Sequence, residues 1–287
     1  MGRIAYVNGQ FVRHGDAVVH IEDRGYQLAD AVYEVWALFD GKLADAEGHF
    51  ARLERSLSEL SIPTPMSRAA LTIVLKEAVR QNRVRDGLVY LQVGRGVAPR
   101  GHAFPDQPTA PSVVITVSAV DRPALEAKAA KGVTVITTPE NRWGRCDIKT
   151  VGLLPNALAK QAAKEKGAGE AWFVDELGFV TEGASSNAWI IDADGVLRTR
   201  DTNANILRGV TRRTLLDVLA GEGMKVEERP FTPQEALEAQ EAFITGAGIL
   251  VLPVVAVDGK PVGNGEVGPV AMKLRRLYIE RARATAV

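Results

Sequence analysis

Arg142-Trp-Gly-Arg-Cys-Asp-Ile-Lys149-Thr-Val-Gly-Leu-Leu-Pro-Asn156 holds a lone lysine between Ile148 and Val151, after the β-like run Val133-Thr-Val-Ile-Thr-Thr138 and before an apolar helix-forming run from Leu153. An amine taken out of water keeps more of its neutral form, the form that attacks carbonyls. A strand-end lysine with its tip in solvent fits the same pattern. The residue alone leaves both readings open, and the segments around it have to decide.

Working outward from Lys149, the first part of the chain reads as strands. Asn8-Gly9 and Asp40-Gly41 suit tight hairpin turns between β-rich runs. A helix is predicted over 47–60, with Phe50, Leu53, Leu57 and Leu60 on one face, and a second over 67–82. Strands at 88–93 and 113–120 flank a Pro/Gly-rich loop at 94–111. Residues 121–131 lack a wide apolar face and read as a linker. The expected organisation is therefore a domain over 1–120, a linker over 121–131 and a larger domain over 132–287. The second domain should hold helices near 154–166, 211–220, 233–239 and 267–283, with strands through Trp172, Val180, Trp189 and Phe243. Strands clustered with helices, without strict alternation, indicate an α+β fold.

Composition narrows the function classes. The 287 residues include 35 basic and 35 acidic side chains without long like-charged runs, so neither nucleic acid nor an anionic membrane is an expected partner. Cys146 is the one cysteine, which excludes an intrachain disulfide and suits a reducing cytoplasm. The opening Met1-Gly-Arg-Ile-Ala-Tyr-Val-Asn-Gly9 has no apolar signal region, and the apolar run 249–257 is too short to span a bilayer. His14, His20, His49 and His102 form no metal-binding pair at helical spacing, so no metal is expected. The glycine-rich nucleotide loops and the Gly-x-Ser-x-Gly elbow are absent.

A cofactor aldehyde held by an amine would need a phosphate site, a partner for a ring nitrogen and a grip on substrate. Leu207-Arg-Gly-Val-Thr-Arg212 places a glycine before a predicted helix, where the N–H groups of Val210 and Thr211 can face an anion. Phe243-Ile-Thr-Gly-Ala-Gly248 runs a strand into a turn small enough for close backbone approach. Glu182 lies at the end of a strand entering Gly183-Ala-Ser-Ser-Asn187 and could keep a pyridine nitrogen protonated. Arg100 and His102 are two apart, so on an extended loop they face the same way and could grip a carboxylate. Each has a plainer alternative: a glycine-preceded helix start, a strand–turn, a solvated acid, a surface basic loop.

Together, in this order, these segments match one family. The chain resembles the fold-type-IV pyridoxal-phosphate enzymes, and within them the D-amino-acid aminotransferase branch. The resemblance covers nearly the whole length, through Asp23-Arg-Gly-Tyr-Gln-Leu-Ala-Asp-Ala-Val-Tyr-Glu34, His49-Phe-Ala-Arg-Leu53, Pro99-Arg-Gly-His102, Arg145-Cys-Asp-Ile-Lys149, Val180-Thr-Glu-Gly183 and Leu207-Arg-Gly-Val-Thr211. It implies a small N-terminal α/β sandwich domain and a larger, β-barrel-like C-terminal domain with helices. It also implies pyridoxal 5′-phosphate held by Lys149 as a Schiff base, with Glu182 at the ring nitrogen. Arg52, Val210, Thr211 and the Ala247–Gly248 turn would bind the phosphate. Tyr33, Arg100 and His102 would form the carboxylate trap, the last two reaching in from the neighbouring subunit of a homodimer. Arg142 is expected in a supporting position against Glu34.

The implied reaction is ping-pong transamination between a D-amino acid such as D-alanine and a 2-oxo acid, 2-oxoglutarate or pyruvate. Rivals on the same fold are a branched-chain L-amino-acid aminotransferase, an aminodeoxychorismate lyase and an (R)-amine transaminase. A non-catalytic binding protein is the rival of another class. Two departures stand out: Ala247 and Gly248 lack the hydroxyls that relatives often carry in the phosphate turn, and Leu250 stands where relatives often have a glutamate.

Overall fold

The computed structural model describes residues 3–203 and 205–287, in two units. The first runs to Asp121 and also takes Ile148–Gly152 and Thr285–Val287; the second comprises Arg122–Asp147 and Leu153–Ala284. The fold is α+β.

In the first unit, β1 (Ile4–Val7) and β2 (Gln10–Arg13) precede the short helix α1 (Arg24–Leu28). Then come β3 (Ala31–Phe39), β4 (Lys42–Leu43), α2 (Ala46–Glu59), α3 (Arg68–Asn82), β5 (Gly87–Gly94) and β6 (Ser112–Ala119). The sheet order is β2-β1-β6-β5-β3-β4. Both expected hairpin turns form, with Asn8, Gly9, Asp40 and Gly41 all at positive φ, the conformation Asn-Gly and Asp-Gly pairs favour. Phe50, Leu53 and Leu57 of α2 and Leu71 and Leu75 of α3 bury against Trp36, Leu38, Val89 and Leu91 of the sheet. Each such side chain contributes roughly 1.5–3 kcal/mol on burial. Because β4 pairs with β3 at Leu38 and Phe39, the start of β3 keeps an open edge, and the segment 148–152 fills it. Val32 pairs with Thr150, Tyr33 N–H donates to Lys149 O at 2.9 Å, and Val151 N–H donates to Ala31 O at 3.2 Å.

The second unit begins with α4 (Arg122–Lys131) and β7 (Val133–Pro139), then α5 (Leu154–Glu165), β8 (Glu170–Val174), β9 (Val180–Gly183), β10 (Asn187–Ile191) and β11 (Leu197–Thr199). It continues with α6 (Val210–Gly221), β12 (Val226–Glu228), α7 (Pro233–Glu238), β13 (Glu241–Gly246), β14 (Leu250–Val257), β15 (Lys260–Pro261) and α8 (Pro269–Thr285). The sheet runs β12-β11-β10-β13-β14-β7-β8-β9, with β15 beside β14. Residues 184–186 join β9, at one end of this path, directly back to β10, and Gly183 N–H donates to Ser186 O at 2.7 Å. That return curls the sheet into a half-barrel around Trp172, Ile190, Phe231, Ile244 and Leu252.

Two sequence expectations change. Residues 121–131 are not a linker: 122–131 form α4, packed on β14. The face it buries is narrow because Ala129 carries it, and Gly132 at φ 68° ends it. Lys149 belongs with the first unit, although its place in the sequence falls within 132–287. Edge pairing with β3 outweighs proximity along the chain.

Candidate active site

Lys149 is half-buried, and its backbone bonds to Tyr33 and, through its N–H, to Ser56 Oγ at 3.4 Å fix where its side chain leaves the chain. Nζ lies over the Tyr33 ring, 4.0 Å from the centroid. Tyr33 in turn stacks on Tyr90 at 5.6 Å, whose phenol burial, then Tyr33, pushes up to about 12. Two of the expected site residues, Lys149 and Tyr33, are thus in direct contact.

Arg52, on α2, donates to Glu34 through Nε at 2.7 Å and Nη2 at 2.8 Å. His49 Nδ1 lies 2.7 Å from Glu34 Oε2. Burial would raise the Glu34 carboxyl, but Arg52 and then His49 outweigh it and bring it down to about 2. An ionised carboxylate only accepts, so His49 is the donor; burial holds its imidazole below the ordinary range, against the pull of Glu34. The bidentate pair sets the plane and position of the guanidinium expected at the phosphate. It also replaces the expected Arg142–Glu34 contact. Arg142 instead donates to Glu140 Oε1 at 2.8 Å and to Glu182 Oε1 at 2.5 Å. Sequence spacing could not choose between two buried acids, Glu34 and Glu182, for one arginine.

Glu182, on β9, is buried and richly donated to. Besides Arg142, Asn187 Nδ2 donates to Oε2 at 3.0 Å and Leu207 N–H reaches both oxygens at 3.1 Å. Burial pushes this carboxyl above its ordinary range, with Arg142 and the Leu207 N–H pulling the other way. Burial likewise works against the Arg142 charge, but Glu140 and Glu182 more than offset it and hold the guanidinium above its usual value. Asn187 is a site residue that sequence reasoning misses. It ties Glu182 to Leu207 O at 3.1 Å, and its only local signal is its place at the end of the Gly/Ser loop. Its Oδ1 would meet a Cβ on Gly209 at 1.9 Å, so glycine alone fits there. Cys146, hydrogen-bonded to Trp143 O at 3.2 Å, is pushed up to about 11 by burial and is no nucleophile at neutral pH.

Gly209 is the N-cap of α6 and provides no side chain to cap it, so the first-turn N–H groups at Val210 and Thr211 suit an anion. α6 packs against β13, the strand leading into the turn at Ala247 and Gly248. Arg100 and His102 are exposed on the 95–111 loop, and neither side chain has a partner among the described residues. Arg24 Nη1 holds the carbonyl between them, Gly101 O, at 2.7 Å. In the first unit, the half-buried Lys149 amine suits the aldehyde of the phosphorylated pyridine implied by the sequence; in the second, the buried Glu182 carboxylate suits its ring nitrogen and the glycine-closed start of α6 suits its phosphate. Among the described residues, no cluster suited to a metal occurs, and no helix is long and apolar enough to cross a membrane.

Comparison with known proteins gives the family. The sequence model of the family described as Amino-transferase class IV matches residues 31–257. A D-alanine aminotransferase of Staphylococcus haemolyticus is 38% identical over 279 residues, 96% of this chain and 97% of that enzyme. One from Bacillus licheniformis is 40% identical over 268 residues, 93% of each. Among solved structures, the T.th. branched-chain amino acid aminotransferase with pyridoxamine 5′-phosphate superposes with a TM-score of 0.88 at 27% identity, covering 98% of this chain and 94% of that one. The Escherichia coli branched-chain enzyme gives a TM-score of 0.91 at 24% identity, covering 98% and 95%, a likeness of fold.

Proposed function

We propose, since the chain belongs to the class IV aminotransferases, that it transfers the amino group of a D-amino acid, D-alanine foremost, to a 2-oxo acid with pyridoxal 5′-phosphate as cofactor. The observation that carries the choice of substrate is the near-full-length similarity to D-alanine aminotransferases at 38% and 40% identity. When bound, the cofactor supplies an electron sink that lets a Cα–H bond ionise.

The chain's own groups do the rest. Lys149 Nζ would hold the cofactor aldehyde, and its free amine would carry the proton taken from substrate Cα. Its backbone pairing with β3 keeps the amine aimed while it moves that proton. Glu182 keeps the ring nitrogen protonated; a buried carboxylate that burial pushes upward gains from a second positive neighbour besides Arg142. Arg52, anchored by Glu34, binds the phosphate with the N–H groups of Val210 and Thr211. The Ala247–Gly248 turn adds backbone N–H groups, since neither residue has a hydroxyl.

Tyr33 lines the substrate side of Lys149. Arg100 and His102, exposed and without side-chain partners among the described residues, bind the substrate carboxylate in a homodimer, each serving the neighbouring subunit. Fixing that carboxylate decides which face of Cα meets Lys149, and so the D-selectivity. A cytoplasmic location agrees with a chain whose single cysteine is buried.

Steady-state formation of pyruvate from D-alanine and 2-oxoglutarate tests this reading. Arg100→Ala is expected to raise KM for D-alanine about ten- to a hundredfold, as for loss of a charge-assisted hydrogen bond, with the bound-cofactor spectrum unchanged. Unchanged amino-acid kinetics would show the carboxylate trap to be misassigned. Preference for L-leucine over D-alanine in the wild type would move the enzyme to the branched-chain subgroup.

A further inference from the structure

Leu250 lies at φ 63°, in the left-handed region that disfavours side chains with a Cβ. It follows directly on the turn between β13 and β14. Ile249 N–H donates to Gly246 O at 3.1 Å, closing a four-residue turn, and Leu250 then returns to register opposite Gly246. Glycine is the usual residue at such a position. Here a leucine takes it, with its side chain fully buried. Backbone of this kind persists where the surroundings over-determine it, and it gathers at ligand sites.

The over-determining group is Arg275. This α8 residue is 1% exposed, and its Nη1 donates to Ile249 O at 3.0 Å and to Val251 O at 2.6 Å, the carbonyls on either side of Leu250. Its Nε and Nη2 donate to the carboxylate of Glu126, on α4, at 2.9 and 2.8 Å. The fork is thus held from behind by Glu126 while it grips two carbonyls that a regular strand pairing would not point at one donor. Ala247 and Gly248 offer no hydroxyl to a ligand. Whatever this turn binds, it binds through N–H groups whose directions depend on the backbone being held.

We propose that Arg275, backed by Glu126, is a positioning residue that fixes the 246–250 turn for the cofactor phosphate. This rests on the assignment of the phosphate to that turn made above. The clamp compensates for a turn without hydroxyls and for the left-handed Leu250.

The test compares pyridoxal 5′-phosphate with pyridoxal, which has the same ring and aldehyde but no phosphate. Dissociation constants of both are measured by absorbance for the full chain. The wild type should bind pyridoxal 5′-phosphate far more tightly than pyridoxal. Arg275→Lys keeps the charge but loses the fork. It should weaken binding of the phosphorylated cofactor about tenfold while changing that of pyridoxal less than about twofold. Glu126→Gln, at a half-exposed carboxylate, should give a smaller loss with the same selectivity, and it carries the comparison if Arg275→Lys does not fold. Equal weakening of both ligands, or of neither, would overturn the proposal. If the wild type itself bound both alike, the phosphate assignment would fall, and the clamp's role with it.

Discussion

Lys149→Ala is expected to abolish transamination, lowering turnover of D-alanine by at least about 10⁴-fold, because one amine both holds the cofactor and carries the proton. The variant should stay folded. Its backbone bonds to Tyr33 and its place on the edge of β3 do not involve the side chain. What is lost is the contact between Nζ and the Tyr33 ring, worth about 1 kcal/mol at a partly exposed site. Thermal unfolding and steady-state kinetics on the same preparation separate the two effects. Turnover near the wild-type rate in a folded variant would remove Lys149 from the chemistry.

Glu182→Gln is expected to cost the second largest share of activity, about 10²–10³-fold in turnover, the scale for removing one buried electrostatic partner of a reacting group. Glutamine keeps the shape, and its one oxygen can still accept from Asn187 and Leu207, but its NH2 then faces Arg142 in place of an acceptor, and it cannot keep a ring nitrogen protonated. Arg142 retains Glu140 at 2.6 Å, so its buried charge is not stranded and the stability loss stays within about 1–3 kcal/mol. Turnover and the absorbance of the bound cofactor should therefore change together while the melting temperature moves little. Wild-type turnover with an unaltered spectrum would show that the ring nitrogen has another partner.

Local chemistry made much of the fold legible. Asn8-Gly9 and Asp40-Gly41 announce their hairpins because few residue pairs accept two consecutive left-handed residues. The spacing of Phe50, Leu53 and Leu57 marks α2 because these side chains share one face. The misread parts depend on partners distant in sequence. Helix α4 hides its packing in a single buried alanine, Ala129. Residues 148–152 join β3 because its edge is open before Leu38, a fact that no local pattern around Lys149 contains.

The site follows the same division. Residue types and motif order point to Lys149, Glu182 and Arg52. The groups that orient them do not show, because Asn187, Gly209 and Arg275 act by close approach and by gripping carbonyls. Sequence alone gives Arg142 the wrong acid for that reason: charge says that a buried arginine needs a carboxylate, and only the fold says which one.

The most direct test of D-amino-acid transamination is a half-reaction followed by absorbance, mixing the cofactor-loaded protein with D-alanine and, separately, with L-leucine. D-alanine alone should rapidly bleach the absorbance of the lysine-bound cofactor and release pyruvate. No bleaching by D-alanine, or bleaching by L-leucine in its place, would contradict the account.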